Sequence, residues 1–301
     1  MGDNRRKTMY QNLGNIYLSC KRMIPSLSAP AHAISAIGKN FIVTGGSQGL
    51  GYAIAEQLAG AGADNIAILA RTKSTGEAAA EKLSSLNPNT KAHFYATDLS
   101  DPASIKASCA STISDLSKIS GLVNAAATTE RGNLETTTSD DFDWQMICNA
   151  RGPFLMSQAI SNHMKSEKIR GSIVNITSVA SKGGAPFIMA YSMSKAALEC
   201  MTRNNAAELA PHGIRVNGVA MGWCYTENED KLQTLQSDSD WIKKADCSQP
   251  IGRILRPEDV ASTVNFLLSD ASNMMTGNIV DLHPEMAHGM LSLDAVDTVE
   301  R

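Results

Sequence analysis

A tyrosine and a lysine four residues apart, Tyr191 and Lys195, follow a serine that closes an apolar run within Gly171 to Leu198. At i, i+4 spacing on a helix the phenol and the ammonium share one face. A nearby positive charge favours the phenolate and lowers a tyrosine pKa from about 10. Such a phenol can donate and accept a proton near neutrality. Ile173 to Ile176 reads as a buried strand whose end delivers Ser178. The spacing alone carries little weight, because about one such pair arises by chance in a chain of this length. Tyr17 and Lys21 repeat it. No strand-end serine or nucleotide motif precedes that second pair, so context must separate the two.

The context begins at Thr44 to Gly51 (TGGSQGLG), where Gly45, Gly49 and Gly51 are interleaved with Ser47, Gln48 and Leu50. A short apolar strand from Phe41 precedes it, and helical periodicity over Tyr52 to Leu58 follows, so the glycines lie on a strand-to-helix turn. Glycine keeps such a turn tight and lets the backbone approach a pyrophosphate at the positive helix N-terminus. A tight turn with no ligand is the plainer alternative; the position after a first strand favours a dinucleotide. An NAD site expects an acid at the end of the second strand, about 20 residues beyond the glycines. Ala70 holds that place, followed by Arg71 and Lys73. A guanidinium binds a 2′-phosphate in a bidentate manner and a carboxylate repels it, so NADP is expected over NAD. The alternative for Arg71 is a solvated loop cation.

The elements that must position these groups alternate along the chain. Strands are expected at Asn65 to Ala70, Ala92 to Thr97, Gly121 to Ala126, Ile214 to Ala220 and Asn278 to Leu282, with Asp98 just past the third. Helices are expected at Glu77 to Leu86, Ala103 to Leu116, Asp141 to Ala150, Gly152 to Lys165 and Glu258 to Leu268. An acidic stretch before the last helix reads as loop, and its run Ser237 to Asp240 suits a flexible lid. This order predicts an α/β protein with one doubly wound Rossmann-fold domain: a mostly parallel seven-stranded sheet, helices on both faces, and a ligand site outside the carboxyl ends of the strands. The domain is expected over residues 38–285, between an N-terminal extension, 1–37, and a C-terminal tail, 286–301.

Composition bounds the function. The chain has 301 residues, 43% of them hydrophobic, and a formal charge of -3, which gives no reason to invoke nucleic acid or an anionic membrane surface. No apolar run reaches the roughly 18 residues of a membrane span. The six cysteines form no C-x-x-C pair and the six histidines are scattered, so reduced thiols and no metal are expected. Residues 1–37 carry Arg5, Arg6, Lys7, Lys21 and Arg22 against one acid, Asp3. That fits an organellar transit peptide, a disordered arm or a misassigned start codon equally in composition. Without such targeting the expected compartment is the cytoplasm.

Taken together, the ordered motifs resemble the short-chain dehydrogenase/reductase family over roughly residues 38 to 282. Thr44 to Gly51 matches its T-G-x-x-x-G-x-G, and Asn124 begins its N-N-A-G motif. Ser178, thirteen residues before Tyr191, joins Tyr191 and Lys195 in its catalytic set, while Met221, Gly222 and Thr226 align with P-G-x-x-x-T. The resemblance implies that Asp98 and Leu99 contact the adenine, that Asn149 serves the proton relay, and that Thr226 holds the nicotinamide carboxamide. It further implies a homotetramer or homodimer through the long helices beginning near Gly152 and Tyr191. Three departures stand out: Ala125 and Ala127 in the fourth-strand motif, a change expected to loosen packing around the cofactor; Met221 in place of proline; and DLHPEMAHGM, Asp281 to Met290, in place of a glycine-rich segment.

The expected activity is hydride transfer between NADP(H) and a carbonyl or secondary alcohol. Tyr191 is the acid/base, Ser178 orients the oxygen, Lys195 lowers the Tyr191 pKa and binds the ribose, and Asn149 supports Lys195 through water. Singly, Ser178 could merely end a strand, Asn149 cap a helix and Lys195 face solvent. The alternative function is a cofactor-binding regulator or a scaffold of the same fold. Two segments are expected to line the substrate pocket: the Ser181 to Ala190 loop, with Pro186, Phe187 and Met189, and the region from Trp223 to Ser248, with Trp223 and Tyr225. They suit an apolar or aromatic-bearing substrate, or else serve as lid packing; Glu227, Glu229 and Asp230 weigh against a strongly anionic one.

Overall fold

The computed structural model describes residues 34–236, 240–249 and 251–283. The Tyr17 and Lys21 pair, most of the N-terminal extension, the C-terminal tail and Ser237 to Ser239 lie outside the described residues. Seven strands form one sheet: β1 (Asn40–Thr44), β2 (Asn65–Ala70), β3 (Lys91–Ala96), β4 (Gly121–Asn124), β5 (Ser172–Ser178), β6 (Arg215–Met221) and β7 (Ile279–Leu282). Their order is β3-β2-β1-β4-β5-β6-β7, and every pairing is parallel. The chain therefore reverses its winding between β1 and β4, which is where a doubly wound sheet opens its crevice.

Strand alternation divides the core in two. Phe41, Val43, Ile66, Ile68, Val123 and Val174 point to one face. There they pack on α1 (Gly49–Gly60), α2 (Lys73–Leu86) and α9 (Pro257–Leu268) through residues such as Ile54, Leu58, Leu83 and Val264. Ile42, Leu69, Leu122 and Ile173 point to the other. They meet α3 (Pro102–Leu116), α5 (Gly152–Ser166) and α6 (Met189–Leu209) through Ile105, Met156, Ile160 and Leu209. Side chains that alternate with period two must be apolar on both sides when both faces are covered, which is why these strands read as continuous apolar runs.

Two local outcomes differ from the sequence expectation. The helix over 141–150 is α4 (Ser139–Met146) followed by a π-turn, Ile147–Arg151, that runs directly into α5. The acidic stretch expected as loop contains two helices, α7 (Glu227–Gln236) and α8 (Trp241–Cys247). Helix α7 lacks an apolar stripe, which hides it from periodicity. It is held by other means: Thr226 Oγ1 accepts from Glu229 N at 3.1 Å, and Glu227, Glu229 and Asp230 lie in the positive first turn. The Trp223 and Trp241 indoles donate to Glu229 and Asp230 at 2.9 and 2.8 Å.

Candidate active site

The glycine turn between β1 and α1 is built by steric necessity. Gly45 has φ +70°, and a Cβ there would lie 2.9 Å from Ala126 Cα; Gly49 has φ +53° and opens α1. A Cβ on Gly51 would approach Gly45 O to 2.3 Å. Only a turn without side chains lets β1, the β4 loop and the α1 N-terminus meet this closely. The turn floors a cleft of about 330 Å³. Of the residues expected at the cofactor, Gly45, Ser47, Gln48, Gly49, Leu50, Gly51, Arg71, Asp98, Leu99 and Thr226 line it. These bare glycines and the free end of α1 fit a dinucleotide pyrophosphate.

At the β2 end no acid intervenes: Ala70 and Arg71 line the cleft, and among the described residues Arg71 makes no salt bridge. Its guanidinium sits 6.0 Å from the centre of the Trp144 ring. Asp98 Oδ1 accepts from Ser100 N at 2.8 Å and from Ser100 Oγ at 2.7 Å. These two bonds hold its carboxyl below the ordinary carboxylate range, with a smaller contribution from the Arg71 charge. Thr72, Thr75, Thr97, Trp144, Cys148 and Asn228 also line the cleft and escaped the sequence reading. Trp144 and Cys148 reach it from α4 and the π-turn, a placement that no motif marks.

Asn124, expected at the cofactor, is placed otherwise: it is buried and is not among the residues that line the cleft. Its Nδ2 donates to Asn175 Oδ1 at 2.8 Å and Ser157 Oγ at 3.2 Å, tying β4 to β5 and α5. The contact with the cleft passes to the next residues, Ala125 to Thr128. Strand pairing explains this: β4 continues to Asn124, in register with Thr44 and Asn175, which holds its side chain under the sheet's edge.

Ser178, Tyr191 and Lys195 come together at the carboxyl end of β5. Burial raises the Tyr191 phenol, and hydrogen bonding from the Ser178 and Thr129 side chains lowers it in opposition. Thr129, in the β4 loop, is a site residue that spacing could not reveal. Lys195 is 2% exposed and donates to Ile176 O at 2.8 Å, with its Nζ 5.6 Å from the Tyr191 ring centre. Burial lowers it to about 8. The ammonium is directed at the Ile176 carbonyl, and for the phenol desolvation outweighs the contacts with Ser178 and Thr129.

Asn149 is fully buried in the π-turn. It accepts from Thr128 N at 2.9 Å and donates to Thr128 O at 2.8 Å and Ser194 Oγ at 3.0 Å. It thus links the β4 loop to α6 one residue before Lys195. π-Turns of this kind recur at functional sites because the extra residue re-aims a side chain.

Around this centre the β4 loop and the Ser181 to Ala190 loop are stitched by Gly132 N to Phe187 O at 2.9 Å and Met189 N to Gly132 O at 3.0 Å. Phe187 remains 55% exposed and Trp223 38%. Tyr225 instead stacks on the buried Trp241 ring at 6.2 Å, so it packs the α7 and α8 segment. Among the described residues no helix is long and apolar enough to cross a membrane, and no cluster of His, Cys, Asp or Glu could hold a metal.

Comparison with known proteins agrees with this geometry. Residues 45–282 match a family model described as enoyl-(acyl carrier protein) reductase. A probable galactose dehydrogenase of Rhizobium meliloti is 32% identical over 79% of this chain and 91% of its own length. A 3-oxoacyl-[acyl-carrier-protein] reductase of Chlamydia pneumoniae is 34% identical over 81% and 94%. The crystal structure of a 3-oxoacyl (acyl-carrier-protein) reductase of Agrobacterium tumefaciens C58 with NADP bound superimposes with a TM-score of 0.77 at 25% identity, covering 87% of this chain and 99% of that one. The chain belongs to the short-chain dehydrogenase/reductase family of NAD(P)-dependent oxidoreductases.

Proposed function

We propose that the protein transfers hydride between NADP(H) and a carbonyl or secondary alcohol, with Tyr191 as the acid/base. The observation that carries this reading is one short segment: Ala125 to Thr128 line the nucleotide cleft, and the next residue, Thr129, reaches the Tyr191 phenol. The cleft and the proton donor are thereby adjacent. Bound NADPH supplies the hydride. The glycine turn and the α1 N-terminus hold its pyrophosphate, Arg71 its 2′-phosphate, Asp98 and Leu99 its adenine, and Thr226 its carboxamide. Ser178 orients the substrate oxygen, Tyr191 protonates it as charge develops, and Lys195 binds the ribose and supports the phenol. Asn149 keeps the loop and α6 in register for this transfer. In oxidation Tyr191 takes the proton instead. The similar proteins named above are a probable galactose dehydrogenase and 3-oxoacyl-[acyl-carrier-protein] reductases, so the proposed substrate class is kept at the carbonyl or secondary alcohol. The proposed assembly is a homodimer or homotetramer through α5 and α6.

The test is cofactor oxidation across a varied carbonyl panel, with NADPH and NADH in parallel, for the wild type and Tyr191→Phe. The phenylalanine keeps the ring and removes the donor, so turnover should fall by about 10²- to 10⁴-fold with NADPH affinity retained. Near wild-type turnover by the variant would sink the mechanism.

A further inference from the structure

Ser178 ends β5 and opens a single 3-10 turn, Val179–Lys182. Its Oγ accepts from Ala180 N at 3.2 Å, which occupies one lone pair and leaves the hydroxyl proton to be donated. The direction in which that proton points therefore depends on where Ala180 N is held. Gly183 N closes the turn on Ala180 O at 3.0 Å, and a side-chain clamp adds to the turn's own backbone bonds. Ser181 Oγ lies 2.6 Å from Ser178 O and against Glu199 Oε1, and its single proton is shared between these two acceptors.

Glu199 lies on α6, four residues past Lys195 and eight past Tyr191. That periodicity places the three side chains along one helix face. The Glu199 side chain is only 12% exposed. Its Oε1 also accepts from Thr177 Oγ1 at 3.4 Å, and its Oε2 pairs with Arg203 Nη2 at 3.4 Å. One carboxylate thus holds the residue before Ser178 and the residue three after it, from the helix that carries Tyr191.

We propose that Glu199 is a positioning residue which, through Ser181, fixes the Ser178 hydroxyl relative to the Tyr191 phenol. The turn and the helix become one rigid body at the point where the two hydroxyls must meet a single substrate oxygen. The inference rests on the Ser178 and Tyr191 reading of the preceding section. Small displacements there are costly, because misplacing a reacting group by about 1 Å can lower a rate by about 10²-fold.

The experiment compares Glu199→Ala, Glu199→Gln, Ser181→Ala and Ser178→Ala, and the double variant Ser178→Ala/Glu199→Ala. Two readouts are taken: amide hydrogen exchange over Ser178 to Gly184, and kcat with NADPH and the best carbonyl of the panel. Loss of the clamp should speed exchange in that turn, with exchange in the β1 to α1 segment unchanged. It should lower kcat by about 10- to 100-fold while the NADPH Kd stays within about twofold. Gln can still accept from Ser181, so Glu199→Gln should restore most of the rate. In the Ser178→Ala background, Glu199→Ala should add almost nothing, since residues acting as one unit are not additive. Unchanged exchange in both Glu199→Ala and Ser181→Ala, or a full additional loss in the double variant, overturns the proposal. If Ser178→Ala itself retains wild-type turnover, or no carbonyl is reduced, the site reading fails instead, and the exchange data still decide whether the clamp holds the turn. Should Glu199→Ala not fold, Ser181→Ala carries both readouts.

Discussion

Replacing Lys195 by methionine keeps an unbranched side chain of similar length and removes the charge. In the wild type, burial lowers the ammonium from its ordinary value of 10.5 to about 8. A base with a depressed folded-state pKa binds its proton less tightly in the native protein than in the unfolded chain. Between the two values the unfolded chain holds more protons, so native stability must rise with pH across that window. For this shift the rise from about pH 7 to about pH 9.5 amounts to about 2 kcal/mol, nearly all of it above pH 8. Lys195→Met lacks this contribution. Urea unfolding of both proteins at matched pH should therefore show the wild type gaining about 2 kcal/mol on the variant over that interval. Near neutrality the variant should be at least as stable, having lost a buried charge, and should have lost turnover. Parallel stability curves, or a wild type that falls behind the variant as pH rises, would refute the reasoning that Lys195 is desolvated by its packing.

Arg71→Ala should lower the preference for NADPH over NADH in kcat/KM by about tenfold or more, through loss of a charge-assisted phosphate contact; an unchanged ratio in parallel kinetics counts against that role. Gly51→Ala would drive a Cβ to 2.3 Å from Gly45 O. Calorimetric titration with NADPH should show binding lost, and Tm should fall in line with about 1–3 kcal/mol of destabilisation. Asn124→Ala removes the donor to Asn175 and Ser157, and should cost about 1–3 kcal/mol while leaving the cofactor KM within about twofold. A raised KM at unchanged stability would return Asn124 to the cofactor.

The strand and helix order is legible in the sequence because a sheet covered on both faces demands apolar runs such as Asn65 to Ala70, and the helices between them bury one stripe each. The glycine turn is legible for a related reason: a turn so tight that Gly51 faces Gly45 O admits no other residue type. Helices α7 and α8 are not, because their support comes from indole to carboxylate bonds and a Thr226 cap, and neither leaves a periodic signature. Thr129, Trp144 and Glu199 stayed hidden for another reason. Each reaches the site from a different element, and only the folded topology brings those elements to one end of the sheet. Spacing could pair Tyr191 with Lys195, yet it could not foresee that the ammonium would turn to Ile176 O and that burial would govern both groups.

The departures in the fourth-strand motif also acquire a physical meaning. Alanine at 125 and 127 suggests looser packing beneath a cofactor, but the loop is held from the β1 side. Thr44 Oγ1 accepts from Ala125 N at 3.0 Å and from Ala126 N at 3.2 Å, and the Ala126 backbone lies where a Gly45 Cβ would be. The close approach is created by what Gly45 lacks, so an added methyl group at Ala127, which is exposed, does not disturb it. From there the backbone passes to Thr128, gripped on both its N–H and its carbonyl by the buried Asn149, and then to Thr129 at the phenol. Thr44 and Asn149 thus hold the two ends of the one segment that joins the nucleotide cleft to Tyr191. Rigidity in this segment comes from two side chains that accept or exchange backbone hydrogen bonds, and the substitutions at 125 and 127 touch neither.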